Sequence, residues 1–361
     1  SIASYIDIEA SVSETFRLSF ATRFEDYSDF GSTLNFKLAT FIKAAENFNI
    51  RAAANTGFRA PSLHQLNFNS TSTIFDQNGN PQEVGTFSND SRAAQLLGIP
   101  QLKEETSKSI SLGITAKIPD ANISLTVDGY FVTIDDRVVY TGQFEGPGTG
   151  SELDNLLSQA NATAASFFAN AIDTESKGLD IVVTHNTNLN DRMRLKSDLA
   201  ATFSQTRQVG DIKASQVLEN AGLVGTYFPE DSRVYLEEAV ARTKINLTNV
   251  LSMEKVNIFL RNVFFGKVTE AVNNVLLQEE YGTKIVTDLS IGYDLSEELT
   301  ITLGANNLLD VYPDRSAQDL DPSTPGDQTN RSGGRFDWSR RAQQFGIGGR
   351  FLFARMSFRL K

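Results

Sequence analysis

The chain has no cysteine among its 361 residues, two histidines, one tryptophan, and no run of eighteen apolar residues. The missing thiols exclude a disulfide scaffold and any thiolate metal site. The missing apolar run excludes a transmembrane helix; the segment 162–172 is too short and too polar to serve as one. Neither absence excludes a membrane. A spanning β-barrel uses segments of about ten residues with alternating apolarity, and these leave mean hydropathy mildly negative, here −0.23. The formal charge of −11 disfavours nucleic acid as a partner. The opening residues SIASYIDIEA hold neither an initiator methionine nor a basic region before an apolar core, so a processed or partial chain is expected.

Signs of catalysis are also scarce. No glycine-rich phosphate loop follows a strand and opens a helix, no cluster has metal-ligand spacing, and two distant histidines make no nucleophile-base pair. No catalytic residue, resident metal or cofactor is therefore expected, and the protein is not expected to be an enzyme.

What is present is period two, the mark of side chains pointing alternately to opposite faces of a strand. Phe16, Leu18, Phe20 and Phe24 oppose Arg17, Ser19 and Arg23; Leu34, Phe36, Leu38 and Ile42 oppose Asn35, Lys37 and Lys43. Phe48, Ile50 and Phe58 oppose Asn49, Arg51 and Asn55, and Met193, Leu195, Leu199 and Phe203 oppose Arg194, Lys196, Asp198 and Thr202. The pattern predicts about thirteen strands, near 2–10, 15–26, 32–43, 47–58, 105–117, 122–135, 176–187, 191–205, 242–251, 255–266, 283–294, 298–308 and 344–360.

The connections alternate as well. Short polar turns at 11–15, 44–47, 118–122, 186–190, 252–255 and 295–298 are interleaved with long passages at 59–104, 136–175, 206–241, 267–282 and 309–343. Long structureless loops are uncommon in compact soluble domains. An up-and-down membrane barrel has this asymmetry, with tight turns on the periplasmic rim and long loops outside the cell. Aromatic residues agree: Phe24, Tyr27, Phe58, Tyr140, Phe203, Phe264, Phe265 and Tyr312 fall where strands meet long passages, and Phe16, Phe41, Phe48, Tyr293 and Phe358 fall by short turns or the C-terminus. The expected fold is all-β, a transmembrane antiparallel up-and-down barrel.

Thirteen is odd, whereas bacterial single-chain barrels have even strand numbers, and an open sheet would leave two bare edges in lipid. Further strands are expected upstream. If the last strand closes a barrel of roughly 22, the plugged class, the first strand here is the tenth. Charges at Arg17, Arg23, Lys37, Arg51, Lys196, Asp198 and Arg261 then face the lumen as partners of a plug, because an Arg or Lys facing lipid at mid-depth costs about 2–4 kcal/mol.

The segments NTGFRAPSLHQL, QLKEETSKSISLGI, GYFVTIDDRVV, FFANAIDTESKGLDIVV, LGANNLLDVYPDR and GRFLFARMSFRL, in this order across nearly the whole chain, resemble the C-terminal barrel half of TonB-dependent outer-membrane receptors. The FRAP-type segment Phe58, Arg59, Ala60 and Pro61 and the segment Asn306–Asp310 carry the likeness jointly. The resemblance implies a 22-strand barrel, an N-terminal plug, coupling to the TonB energy complex, and import of a scarce nutrient across the outer membrane of a Gram-negative bacterium. Residues 1–361 would be the C-terminal portion of the barrel, with the plug and first strands outside this chain. Surrounding lipid and a surface lipoprotein are further partners to consider. Two departures stand out: the chain ends in Lys361, with Phe358 three residues earlier, and the loops hold no cysteine pair.

In this setting the passage from 59 onward reads as a ligand vestibule. The chain reaches the outer rim, Gly57 permits a bend, and Pro61 cannot donate to the ladder. Leu63, Leu66, Phe68, Phe75 and Phe87 are placed to pack on the plug or neighbouring loops, or to touch cargo; His64, Phe68, Phe75, Tyr140 and Trp338 are the candidate substrate-binding residues. In haem-importing members a histidine near this position can ligate iron; His64 stands there, but the companion Asn-Pro-Asn-Leu motif is absent. His185 is expected at the periplasmic surface beside a short turn. Leu153, Leu156, Leu157 and Ala160 recur at helical spacing after an N-cap Ser151 and predict a short amphipathic lid helix. Asp310, Asp314, Asp319, Asp321 and Asp327 match no regular calcium loop and are balanced by Arg315, Arg331 and Arg335. Passage 136–175 sets six acids against Arg137, which disfavours a bare anion as cargo. Fold likeness does not choose among siderophore, haem, cobalamin, glycan and peptide. The other reading compatible with these strands is a secreted or surface-attached β-rich adhesin without transport.

Overall fold

A computed structural model describes residues 1–28, 31–75, 81–160, 162–271, 278–316, 337–339 and 341–359. Four strands open it as an antiparallel meander: β1 (Ile2–Ser11), β2 (Phe16–Tyr27), β3 (Gly31–Ala45) and β4 (Phe48–Arg59). The first long passage then contributes α1 (Leu63–Asn67), β5 (Ser70–Phe75), β6 (Pro81–Thr86) and α2 (Arg92–Leu96), before β7 (Glu105–Ile118) rejoins the sheet beside β4. A tight turn at Pro119–Ala121 leads to β8 (Ile123–Tyr140), and the second passage carries β9 (Phe144–Glu145), α3 (Glu152–Ser158) and β10 (Ala164–Ser166). After β11 (Phe168–Asn190) and β12 (Met193–Val209), the third passage forms α4 (Gln216–Asn220), α5 (Val224–Tyr227) and α6 (Glu230–Glu237). β13 (Thr243–Met253) and β14 (Val256–Phe265) follow, then the outlying pair β15 (Val268–Glu270) and β16 (Glu279–Tyr281). β17 (Lys284–Asp294), β18 (Leu299–Asn306) and β19 (Phe351–Phe358) end the main sheet.

That sheet has thirteen antiparallel strands, each beside the next of its members in the sequence, and it is not closed: β1 and β19 are its two edges. All thirteen expected strands are present. β11 begins at Phe168 rather than near 176 because register shifts between Asn170 and Thr174 let the ladder continue where the alternation breaks. The last strand is shorter than expected.

Register fixes the two faces. Ile42, Ile50, Ile114, Val127, Ile181, Ala201, Ile245, Phe264 and Ile285 stand level across nine strands. Phe20 lies opposite Ile8 and Leu38 on this apolar face and is exposed, as is Leu38. The next row, on the other face, runs through Arg17, Phe41, Arg51, Gly113, Asp128, Asp180 and Thr202. An unburied apolar face suits hydrocarbon and not water; the opposite face forms a polar wall.

The wall largely satisfies itself. Arg51 reaches across the intervening strand β7 to Asp128, with Nε 2.9 Å from Oδ1, and the residue between them is Gly113, where a Cβ would collide with both side chains. Arg261 donates to its cross-strand partner Asp288 at 2.8 Å, Thr184 and Lys196 meet Asp198, Thr202 donates to Asp180 at 2.7 Å, and Arg23 pairs with Glu25. Of the charges expected to await a plug, Lys37 alone carries no ion pair among the described residues, and Arg17 holds Glu9 only loosely at 4.0 Å. Residues two apart on one strand, Arg23 with Glu25 and Lys196 with Asp198, and residues level on adjacent or next-adjacent strands, Arg261 with Asp288 and Arg51 with Asp128, account for the difference, since both arrangements bring opposite charges within reach before any second domain is present.

The long passages are not structureless. β5, β6, β10 and β9 form a second sheet in which β6 and β10 run parallel, tying the first passage to the second. Phe87, Leu97, Phe144, Leu157, Phe167, Leu218, Tyr227 and Phe228, drawn from three passages, share one buried core. Together they make a folded cap at the long-loop end of the sheet.

Candidate functional site

The outer rim is where strands hand over to the cap. The ladder continues through Gly57, opposite Ser107, to Arg59 opposite Glu105, so the expected bend at Gly57 does not occur; a Cβ there would crowd Ser107 Oγ. The chain leaves the sheet at Ala60 and Pro61, and Pro61 is buried. Arg59 Nη2 donates to Glu105 Oε1 at 2.9 Å, and the same oxygen accepts from the Val138 amide at 2.8 Å, joining β4, β7 and β8. Phe58 meets the Tyr27 ring edge to face at 5.9 Å.

Two buried asparagines fasten the cap. Asn89 donates to the carbonyls of Pro100 at 2.6 Å and Phe168 at 3.0 Å; Asn170 donates to those of Lys103 and Asp136 and accepts from the Lys103 amide. Asp136, left-handed at φ 56° in the β8 bulge, holds Lys103 at 2.7 Å and Lys213 at 2.8 Å, and Lys213 also meets Asp173 at 2.5 Å. An aspartate tolerates this backbone region, and the bulge turns it toward lysines from two passages. Burial works against the Lys213 charge, but its hydrogen bonds to Asp136 and Asp173 prevail and hold its pKa above the ordinary lysine value. None of these clamps stood out in the sequence; the doubled acid Asp135-Asp136, which breaks the alternation at the end of a strand, is the one trace of them.

His64 lies on α1, which a capping box of Ser62 and Gln65 starts, and is exposed; its ring is 6.5 Å from that of Phe68. Phe68 and Phe75 are exposed, whereas Phe87 is buried in the cap core and Leu66 is half-buried. Tyr140 bonds Thr86 through its hydroxyl at 2.8 Å and packs on Phe168 at 5.3 Å. Trp338 sits elsewhere, stacked on Tyr312 at 5.8 Å, with its indole Nε1 buried and without a hydrogen-bond partner among the described residues. The structure thus brings His64 to Phe68 and Tyr140 to Thr86. No group of three or more potential metal ligands is assembled among the described residues.

The expected helix is α3, with the Ser151 hydroxyl capping Asp154 and Leu157 fully buried. Its apolar side is packed into the cap core, so it is part of a fixed roof and not a free lid. His185 pairs with Ile123, the first residue of β8, at the short-turn end. Asp310 accepts from the Arg350 amide, and Asp314 accepts from Lys284 and the Gly282 amide. Its hydrogen bond with Lys284 holds the Asp314 carboxyl below the usual range, against the effect of burial. Asp319, Asp321, Asp327, Arg331, Arg335 and Lys361 lie outside the described residues.

A meander with an apolar outside, a polar inner wall, tight turns at one end and a folded cap at the other is an outer-membrane β-barrel in part. A family model described as TonB dependent receptor-like, beta-barrel, matches residues 1–308, and the chain belongs to that family. Its members are transporters of the Gram-negative outer membrane, not enzymes, and possess a plug domain and a TonB interaction. No curated protein matches. Among solved structures, the chain is similar to a point mutant of the ferric enterobactin receptor PfeA from Pseudomonas aeruginosa, at 16% identity and TM-score 0.62, covering 98% of this chain and 44% of that one. The siderophore receptor PirA from Acinetobacter baumannii gives 15% identity and TM-score 0.61, covering 99% and 45%; PirA from Pseudomonas aeruginosa gives 16% and 0.56, covering 99% and 48%. The chain therefore spans less than half the length of these solved chains, and at such identity the likeness concerns the fold.

Proposed function

We propose that residues 1–361 are the C-terminal thirteen strands of an energy-coupled importer barrel. A plug and about nine earlier strands, from sequence upstream, complete a cylinder of roughly 22 strands. The carrying observation is the sheet itself: its face is apolar outside and polar within, and both edges, β1 and β19, pair on one side only. Bare edges are untenable in lipid, so each takes a strand from outside this chain. Cargo is a scarce nutrient that meets the cap first, with His64, Phe68, Phe75, Tyr140 and Trp338 as the contacts to test. Withdrawal of the plug, driven by TonB from the periplasm, then opens the lumen. The adhesin alternative has no comparable support, since it gives no reason for a polar wall backed by an apolar exterior.

The test is energised uptake. The full-length receptor is purified in detergent, its co-purified cargo is identified by mass spectrometry, and accumulation of that cargo is measured in cells with and without the coupling complex. Uptake lost on removing either receptor or coupling complex is expected. Equal accumulation in all strains would refute the importer.

A further inference from the structure

The cap carries most of the chain's surplus charge. Passages 59–104, 136–175 and 206–241 hold sixteen acids and seven bases, so nine of the eleven excess negative charges are concentrated there. Five of those bases, Arg59, Lys103, Arg207, Lys213 and Arg233, are already committed to ion pairs within the protein. Glu145, Glu152, Asp211 and Glu219 are exposed and have no ion pair among the described residues.

Within this acidic surface lies a cleft of about 260 Å³ between α3, α4 and the end of α2, lined by Leu97, Leu153, Leu156, Val217 and Leu223 with the polar Glu152 and Asn220 among its walls. Val217 is exposed, so the cleft opens to solvent, whereas Leu218 behind it is fully buried. Its volume lies below the ~300–1,000 Å³ typical of sites that enclose a whole small molecule. It suits one apolar side chain whose carrier stays outside. The carrier would rest on a field of unneutralised carboxylates, where cations are drawn in and anions are repelled.

We infer that this cleft binds a basic peptide, taking one large apolar side chain among Leu153, Leu156, Val217 and Leu223 while a neighbouring lysine or arginine of the peptide meets Glu152. The inference rests on reading the cap as the extracellular face of the importer, and it deepens that reading by naming the ligand class the cap admits.

The test uses full-length receptor in detergent and three fluorescein-labelled peptides: Lys-Trp-Lys-Leu-Lys, Glu-Trp-Glu-Leu-Glu and Lys-Ser-Lys-Ser-Lys. Fluorescence anisotropy should show binding of the first and at least tenfold weaker binding of the other two, with the first weakened by added salt. Glu152→Gln should weaken it about two- to fivefold, the range of one exposed ion pair. Ala221→Trp, at an exposed wall of the cleft, should fill it and weaken binding tenfold or more; unchanged heat-modifiable gel mobility checks that the variants remain folded. Equal binding of the acidic or the serine peptide, or wild-type affinity in both variants, would overturn the site. Energised cargo uptake is scored separately: binding without uptake refutes the importer and keeps the cleft, whereas uptake without peptide binding refutes the cleft alone.

Discussion

Glu105→Ala is the sharpest probe of how the outer rim is held. The Glu105 side chain is 8% exposed, and one of its oxygens accepts both from Arg59 at 2.9 Å and from the amide of Val138, itself buried, at 2.8 Å. Removing the carboxylate orphans the Val138 donor, which costs about 1–3 kcal/mol. The Arg59 contribution adds under ~1 kcal/mol, because its side chain is 61% exposed and water screens the pair. A local opening free energy lowered by about 2–3 kcal/mol accelerates exchange by about 30- to 150-fold. Hydrogen-exchange mass spectrometry on detergent-solubilised receptor should show this in peptides covering 56–62, 103–108 and 134–140, with protection unchanged at the short-turn end. Arg59→Gln should accelerate the same peptides about fivefold or less. If the two variants behave alike, the ion pair and not the buried amide holds the rim, and the reasoning fails.

Leu157→Ala should cost about 2–5 kcal/mol, since the side chain is fully buried in the cap core; limited proteolysis should then cut 141–167 while the strands stay resistant. Tyr227→Phe should leave stability unchanged or raise it by about 1 kcal/mol in thermal melts, because the buried hydroxyl has no hydrogen-bond partner among the described residues. Burial pushes the Tyr227 phenol up to about 12 from 10.0, so the folded cap favours the neutral form; its contribution is intact below pH ~10 and is lost as pH rises through about 12, and a pH titration of the melting point should show this loss in wild type but not in the phenylalanine variant. Gly113→Ala should part Arg51 from Asp128 and destabilise by about 1–3 kcal/mol, seen as a lower urea midpoint, because the added Cβ meets both side chains.

Much of the barrel was legible in the sequence. Phe16, Phe20 and Phe24 against Arg17 and Arg23 already state which face is dry, because a strand's side chains alternate and a one-residue slip would reverse every one of them. The alternation of short and long connections added direction. The candidate site was legible only in part. Tyr140 was recognisable as a rim aromatic and Phe68 as a candidate contact in the first long passage, but Glu105, Asn89 and Asn170 were not, because a polar residue that fastens distant backbone groups has no local period.

By itself, then, the sequence determined thirteen strands, their facing and the sense in which they run, since each depends on neighbours two residues apart or on the length of one connection. Only the tertiary structure decided that the long passages fold into a single capped body, that the inner wall's charges mostly satisfy one another, and that a cleft opens within an acidic surface. Those properties arise from residues far apart in the chain, such as Arg51 with Asp128 and Lys103 with Asp136 and Lys213, whose meeting is set by register and by a bulge.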